Sequence, residues 1–334
     1  MNNKPNIYIS LPTDPFSYDR GNKMSWSQIY KFIYEGLVNE FGQVNIIPYS
    51  FKGSLNFREK DFFITTLSDE PIINHILKFP RCILIDNNNF DVNKWKFGKF
   101  SKFGYTSPTS LSSRFDNHIK SSLCQFVKTN DVAISKWETD HPDVYEYKKW
   151  YIDNNVNVKL MQHPIDKKHY GSFYNDQKIT DPKMIIYHAG PCKNAKQLIE
   201  TLVNLGFIIG RDFDMVGGID VSNPKPILNK YSYFAHTSFS EGFPYLLNEF
   251  FTMGMFPFAN DEWWSGLGRR ETLWSYDPAL QERNVSNLKY LFDKNNLEEI
   301  NNIRKEVWQK HMDREDNNWD YFVGELIKEM RKNL

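Results

Sequence analysis

SEGFPYLLNEFFTMG, residues 240–254, carries two glutamates eight apart, Glu241 and Glu249, in a segment otherwise almost wholly apolar. A carboxylate among apolar side chains is costly unless it is paired or hydrogen-bonded. Pro244 suits the first turn of a helix, where a missing N–H costs nothing, and Gly254 suits the position just past its end. The spacing therefore predicts a helix over about 244–253, with Glu241 in the loop before it and Glu249 inside. Glu249 lies three residues after Leu246 and four before Met253, on one helical face. There its carboxylate either reaches a rim or accepts hydrogen bonds from a bound group, and the vicinal hydroxyls of a ribose supply two donors. N–H groups around Gly242, Phe243 and Tyr245 point out of the helix start, toward oxygen-rich or anionic ligands. Taken alone, the spacing also fits an amphipathic helix with one solvated glutamate and one first-turn charge.

Outward from this segment, short apolar runs alternate with helix-like stretches. Before it come the strand candidates KMIIYHAG (183–190), FDMVGG (213–218) and YSYFAHTS (231–238), with a helix over NAKQLIETLVNLG (194–206); after it comes MFPFAN (255–260). The first half has the same rhythm. NIYISL, NIIPYS, DFFITTLS, RCILIDNN, DVAISK (131–136) and NVKLMQHPID (157–166) read as strands, and WSQIYKFIYEGLVNEFG (26–42) and LSSRFDNHIKSSLCQFVKTN (111–130) as helices. Polar, turn-rich residues 166–182 read as a linker, and the chain past 285 as helical. This is the pattern of an α/β chain with two parallel, doubly wound sheets, whose ligands bind beyond the carboxyl ends of the strands in a cleft between domains. The expected division is 1–170 for a first domain, 171–310 for a second, and 311–334 for a C-terminal helix returning toward the first.

The chain has 334 residues, with 41 Lys plus Arg against 41 Asp plus Glu, so no global field attracts nucleic acid or an anionic membrane. The three cysteines, Cys82, Cys124 and Cys192, form neither a metal-ligand pattern nor a disulfide framework and suit a reducing compartment. With no signal-peptide pattern at the start and no apolar run of transmembrane length, the expectation is a soluble, cytoplasmic protein of open oligomeric state, in the host cytoplasm if virus-encoded.

The sequence resembles the retaining glycosyltransferases of GT-B fold, especially glycosyltransferase family 4. That family carries a Glu, a Gly-Phe-Pro-like turn and a second Glu eight residues on, then a glycine and a proline before a strand. Glu241, Gly242-Phe243-Pro244, Glu249, Gly254 and Pro257 stand here in that order. DVAISKW and KLMQHPIDKKHY are similar to further family elements, with His163-Pro164 replacing Asn-Gly. The resemblance implies two Rossmann-like domains with a helical C-terminus and a nucleotide-sugar donor (UDP- or GDP-sugar) with no other cofactor. It also implies retention of configuration without a metal on the diphosphate. Glu249 would bind the donor ribose and Glu241 the sugar hydroxyls, with Gly242, Phe243 and Pro244 forming the turn that offers N–H groups. In HAGPCKNAKQLIE, Lys193 falls at the family's phosphate-binding lysine, with Lys196 as the fallback. Pro191 follows Gly190 where the family has arginine, so the second diphosphate contact is open; Arg269 or Arg270 could replace it. Asp86-Asn87 stands where a family histidine after an N-terminal-domain strand is expected.

The acceptor side is less defined. Lys94, Lys96, Lys99 and Lys102 interleave with aromatics in NKWKFGKFSKFGY, a pattern that suits phosphate tracking and base stacking or a solvated loop. EFFTMGMFP is also similar to a segment of the phage DNA α-glucosyltransferases, which act on hydroxymethylated bases and must flip them out of a duplex. The expected acceptor is a glycan, a lipid-linked or a small-molecule hydroxyl, with DNA the alternative. A nucleotide-sugar epimerase and a non-catalytic nucleotide-sugar binder are the other readings. DFD (212–214) has the form of a metal-binding Asp-x-Asp but precedes the strand MVGG, and His118, on a predicted helix, reads as core or surface. No metal ligands are expected.

Overall fold

The computed structural model describes residues 5–11, 16, 19, 25–48, 58, 60–66, 81–86, 124–130, 157–162, 164–188, 195–238, 244–261 and 264–332. The chain divides into two compact units, one of Met1–Asn130, Thr139–His163 and Trp319–Leu334, the other of Asp131–Glu138 and Pro164–Asn318.

The first unit holds six parallel strands, β1 (Ile7–Leu11), β2 (Val44–Pro48), β3 (Phe62–Thr66), β4 (Arg81–Asp86), β5 (Cys124–Asn130) and β6 (Asn157–Gln162). They lie in the order β2-β1-β3-β4-β5-β6. Phe62, Phe63 and Ile64 are consecutive and all buried, as a parallel strand covered on both faces requires. Helix α1 (Ser25–Phe41) buries Tyr30, Ile33 and Leu37. Residues 124–130 correct one expectation: they were read into a helix over 111–130 and form β5. Its backbone pairs on both sides, Phe126 opposite Leu84 of β4 and Val158 of β6. A strand bonded along both edges satisfies its backbone groups as fully as a helix does, so tertiary pairing overrides the local spacing.

The second unit holds β7 (Met184–Tyr187), β8 (Phe213–Val216), β9 (Tyr233–His236), β10 (Phe256–Asn260) and a short β11 (Leu273–Trp274). The order is β11-β10-β9-β7-β8, all parallel. Every residue of β9 and β10 is buried. The helices are α2 (Lys167–Gly171), α3 (Lys196–Asn204), α4 (Lys225–Leu228), α5 (Tyr245–Thr252), α6 (Gln281–Phe292) and α7 (Leu297–Asp313).

Residues 166–182, read as a linker, are built into this second unit. Asp166 caps α2 by accepting from His169 N at 3.0 Å, and Tyr170 is fully buried. Further on, the Asn301 side chain both accepts from Ile179 N (2.8 Å) and donates to Ile179 O (3.1 Å), standing in for a neighbouring strand. A single buried tyrosine and a long-range amide pair leave no periodic trace in the sequence.

The last helix, α8 (Trp319–Arg331), belongs to the first unit. Trp319 stacks on Phe32 of α1 with centroids 5.0 Å apart, and a Cβ on Gly36 would overlap Val323, so the two helices meet across a glycine. Arg331 pairs with Glu40. Among the described residues no helix is long and apolar enough to cross a membrane.

Candidate functional site

Because the strands of the second sheet are parallel, their C-terminal ends share one edge. The chain passes from β7 outward to β8, then returns to the other side of β7 as β9. Where the strand order reverses, open α/β sheets leave a crevice for ligands. His188 follows β7 at this edge, and Thr237 and Ser238 follow β9. Helices α3 and α5 are the segments that next return along the sheet from these two strands.

Helix α5 spans Tyr245–Thr252, with Pro244 in the N-cap position at φ −79° and ψ 73°. It is therefore slightly shorter than the expected 244–253, and Pro244 precedes its first turn. Leu247, Asn248, Glu249, Phe250, Phe251 and Thr252 are all buried. Phe250 stacks on Phe234 of β9 with centroids 4.9 Å apart, and Phe251 lies 5.8 Å from Trp264 and 4.6 Å from His311. Asn248 Nδ2 donates to Pro244 O at 3.1 Å, which secures the first turn from inside. Gly254 ends the helix at φ +95°, and a Cβ there would come within 2.9 Å of Asn175 O. Glycine is required at that position for backbone conformation and for space.

Glu249 is 3 % exposed, and its Oε1 accepts a hydrogen bond from the Tyr170 hydroxyl at 2.8 Å. The carboxylate that the spacing placed on an apolar face is thus oriented by a residue from the supposed linker. A carboxylate has about four acceptor positions, and this bond sets the direction in which they point.

His311 of α7 supports the same helix. The Thr252 hydroxyl donates to Asn248 O at 2.7 Å, so its contact with His311 Nε2 at 2.8 Å is one in which the ring donates. Burial, followed by the positive charges of Lys167 and Arg314, holds the His311 pKa well below its ordinary value, so the ring is neutral. Lys167 of α2 donates to the carbonyls of His311 (2.7 Å), Met312 (3.2 Å) and Arg314 (2.6 Å), capping the end of α7.

Around the strand ends the backbone is pinned by side chains. Asn260 Nδ2 donates to Ser238 O at 2.9 Å, the Tyr276 hydroxyl donates to Thr237 O, and Arg283 pairs with buried Asp261 at 2.7 Å. The ring of His188 accepts from Ala195 N, the cap residue of α3, at 3.3 Å. No role was read for His188 or Tyr170, although His188 opens HAGPCKNAKQLIE and Tyr170 closes KLMQHPIDKKHY. The position directly after a strand was a usable signal for His188, and the similarity of KLMQHPIDKKHY to a family element was one for Tyr170.

Of the expected site residues, Glu249 lies in α5 with Pro244 at its N-cap, and Lys196 opens α3. Lys196 is exposed and lies 3.7 Å from Glu200 one turn on, an ordinary helix-surface pair. Lys193, Gly190, Glu241, Gly242 and Phe243 lie outside the described residues, as do Lys94, Lys96, Lys99, Lys102, His118 and Asn87. Arg269 is engaged by Glu271 (3.4 Å) and Glu306 (3.8 Å), and Arg270 lies 3.8 Å from Glu271, so both guanidinium groups already have carboxylates. The acids of DFD also have protein partners: Asp212 binds Arg211 at 2.7 Å, and Asp214 binds Lys183 and Lys230, each at 3.1 Å. Among the described residues no group of three or more His, Cys, Asp or Glu side chains could hold a metal ion.

The fold is that of known GT-B structures. A sucrose-phosphate synthase from Thermosynechococcus elongatus superposes with a TM-score of 0.55 at 11% identity, over 98% of each chain. WaaG, a glycosyltransferase involved in lipopolysaccharide biosynthesis, matches with a TM-score of 0.53 at 10% identity, over 95% of this chain and 98% of that one. The GtfA/B complex matches with a TM-score of 0.53 at 10% identity, over 83% of this chain and 58% of its own. No family model and no curated protein matches the sequence.

Proposed function

We propose that the chain is a retaining glycosyltransferase that moves a sugar from a nucleotide-sugar donor to a hydroxyl acceptor, with no metal on the diphosphate. The observation that carries this reading is Glu249: a buried carboxylate, oriented by Tyr170, on the helix that follows the switch-point strand β9. Two vicinal ribose hydroxyls are suitable donors to such a group, and a nucleotide at this edge brings its diphosphate toward the start of α3. Two solved structures of the same fold, the glycosyltransferase WaaG and a sucrose-phosphate synthase, support the reading.

In this scheme Glu249 holds the ribose, and Glu241 holds the donor sugar with N–H groups of the Gly242-Phe243-Pro244 turn. Lys193 neutralises the charge that grows on the diphosphate as the glycosidic bond breaks, with Gly190 and Lys196 beside it in sequence. Removing one such preorganised group costs about 10²–10³ in kcat. Retention then needs no protein nucleophile opposite the leaving group. The acceptor is a glycan, a lipid-linked sugar or a small molecule.

Calorimetric titration with UDP, GDP and their sugars tests the donor assignment. One of these nucleotides should bind the wild-type chain and fail to bind Glu249→Ala; unchanged affinity in the variant would sink the ribose role. Lys193→Ala should slow turnover far more than it weakens donor binding, and activity should be equal in chelator and in magnesium. Acceptor trials then include hydroxymethylated DNA beside sugar acceptors.

A further inference from the structure

A cavity of about 280 Å³ opens at the opposite, N-terminal edge of the second sheet. Lys183 stands one residue before β7, Ser232 one before β9 and Met255 one before β10, and all three line it. Lys178, Lys230 and Arg304 complete its positive lining, and Asp181 is its one carboxylate among the described residues. Asp181 is itself bound to Lys294 at 2.9 Å.

How these cations are held matters more than their number. Asp214 Oδ2 receives Lys183 Nζ and Lys230 Nζ, each at 3.1 Å, and the Tyr231 hydroxyl at 2.7 Å. One carboxylate oxygen thus gathers two ammonium groups; Lys183 Nζ also donates to Gly210 O, and Asp212, itself bound to Arg211, acts on it through space. Arg304 reaches the cavity from α7, half-buried, and donates to carbonyl oxygens, Gln177 O at 2.8 Å and Gly254 O at 3.4 Å. Among the described residues it has no carboxylate partner, and Asp176 acts on it only through space. A guanidinium and two ammonium groups around one cavity leave a surplus of positive charge that a further anion would balance.

We propose that this cavity is a binding site for a phosphomonoester, with its phosphate held by Arg304, Lys183 and Lys230. A guanidinium offers paired N–H groups matched to phosphate oxygens, and two ammonium groups add point charges with rotatable donors. The volume falls just below the roughly 300–1,000 Å³ of common small-molecule sites, which suits a small phosphorylated compound rather than a nucleotide. The site also gives the Asp-x-Asp sequence a role: Asp214 positions cations for an anion and is not a metal ligand. It opens where α5 ends, one helical turn beyond Glu249, whose carbonyl accepts from the N–H of the lining residue Met253 at 3.0 Å, and its cations are none of those assigned to the donor, so it does not depend on the glycosyltransferase reading.

The test is calorimetric titration of the full chain at fixed ionic strength with inorganic phosphate and, separately, with glycerol 3-phosphate. Saturable binding of both is expected, tighter for the ester, with Kd raised at least fivefold in the exposed variant Lys230→Gln and at least tenfold in Arg304→Lys. Saturating UDP or GDP should leave these isotherms unchanged. The proposal is overturned if neither compound binds saturably, if both variants bind as the wild type does, or if the nucleotide displaces the phosphate, which would place the anion at the donor edge.

Discussion

The two edges of the second sheet are organised by different forces. On the helix that leaves the C-terminal edge, Glu249 is one of six buried residues in eight, held by aromatic packing and by the Tyr170 hydroxyl. At the N-terminal edge, Asp214, Lys183 and Lys230 are held mainly by charge, with Lys230 more than half exposed. A polar group set in packed surroundings keeps one orientation, because any other leaves it unsatisfied. A partly solvated ion cluster keeps its composition but adjusts its geometry, and water screens its pairs. The first arrangement suits recognition of a fixed hydroxyl pattern, and the second suits capture of an anion.

If that contrast holds, losses at the packed edge should be large and losses at the ionic edge small. Phe250→Ala removes the ring stacked on Phe234 and should lower stability by about 3–5 kcal/mol in urea unfolding. Gly254→Ala should cost about 3 kcal/mol, at the upper end of the ~1–3 kcal/mol for a forced positive φ, because the new Cβ also meets Asn175 O. Tyr170→Phe deletes a hydroxyl that donates to Glu249 and should cost about 1–2 kcal/mol, with weaker nucleotide binding as its second readout. A fully stable Tyr170→Phe with unchanged nucleotide affinity would remove the tyrosine from the site.

Stability also depends on pH through His311. His311 has a folded pKa well below its unfolded value of about 6.5, so its contribution is present in full above that value and lost as pH falls toward the folded one. Stability should decline below about pH 6.5 by up to ~1.4 kcal/mol per pH unit from this group, and His311→Gln should remove that component of the slope. The smallest effect belongs to the ionic edge. Lys230→Gln should change stability by less than about 1 kcal/mol while weakening phosphate binding. A large loss of stability in that variant would erase the contrast between the edges.

Much of the architecture was readable in the residues. Strands β7, β9 and β10 follow apolar runs bounded by polar or glycine-containing loops, and α5 begins beside Pro244 and ends at Gly254, as the preferences of those residues dictate. What was missed has a common cause. β5 was hidden because pairing to β4 and β6, distant in sequence, decided its conformation. The role of residues 166–182 was hidden because it rests on Tyr170 reaching Glu249, 79 residues away, and on Asn301 reaching Ile179, 122 residues away. Periodicity records local burial and is blind to contacts of that span.

The same division applies to the sites. The sequence alone determined that a helix between a proline and a glycine would carry Glu249 inside an apolar segment, because backbone preference and spacing are local properties. Only the tertiary structure decided what that carboxylate meets, a tyrosine hydroxyl from α2, and that Asp214 gathers Lys183 and Lys230 beside Arg304. Those partners are brought together by the sheet order β11-β10-β9-β7-β8, and the free energy of a buried charge depends on its neighbours in space, whatever their distance along the chain.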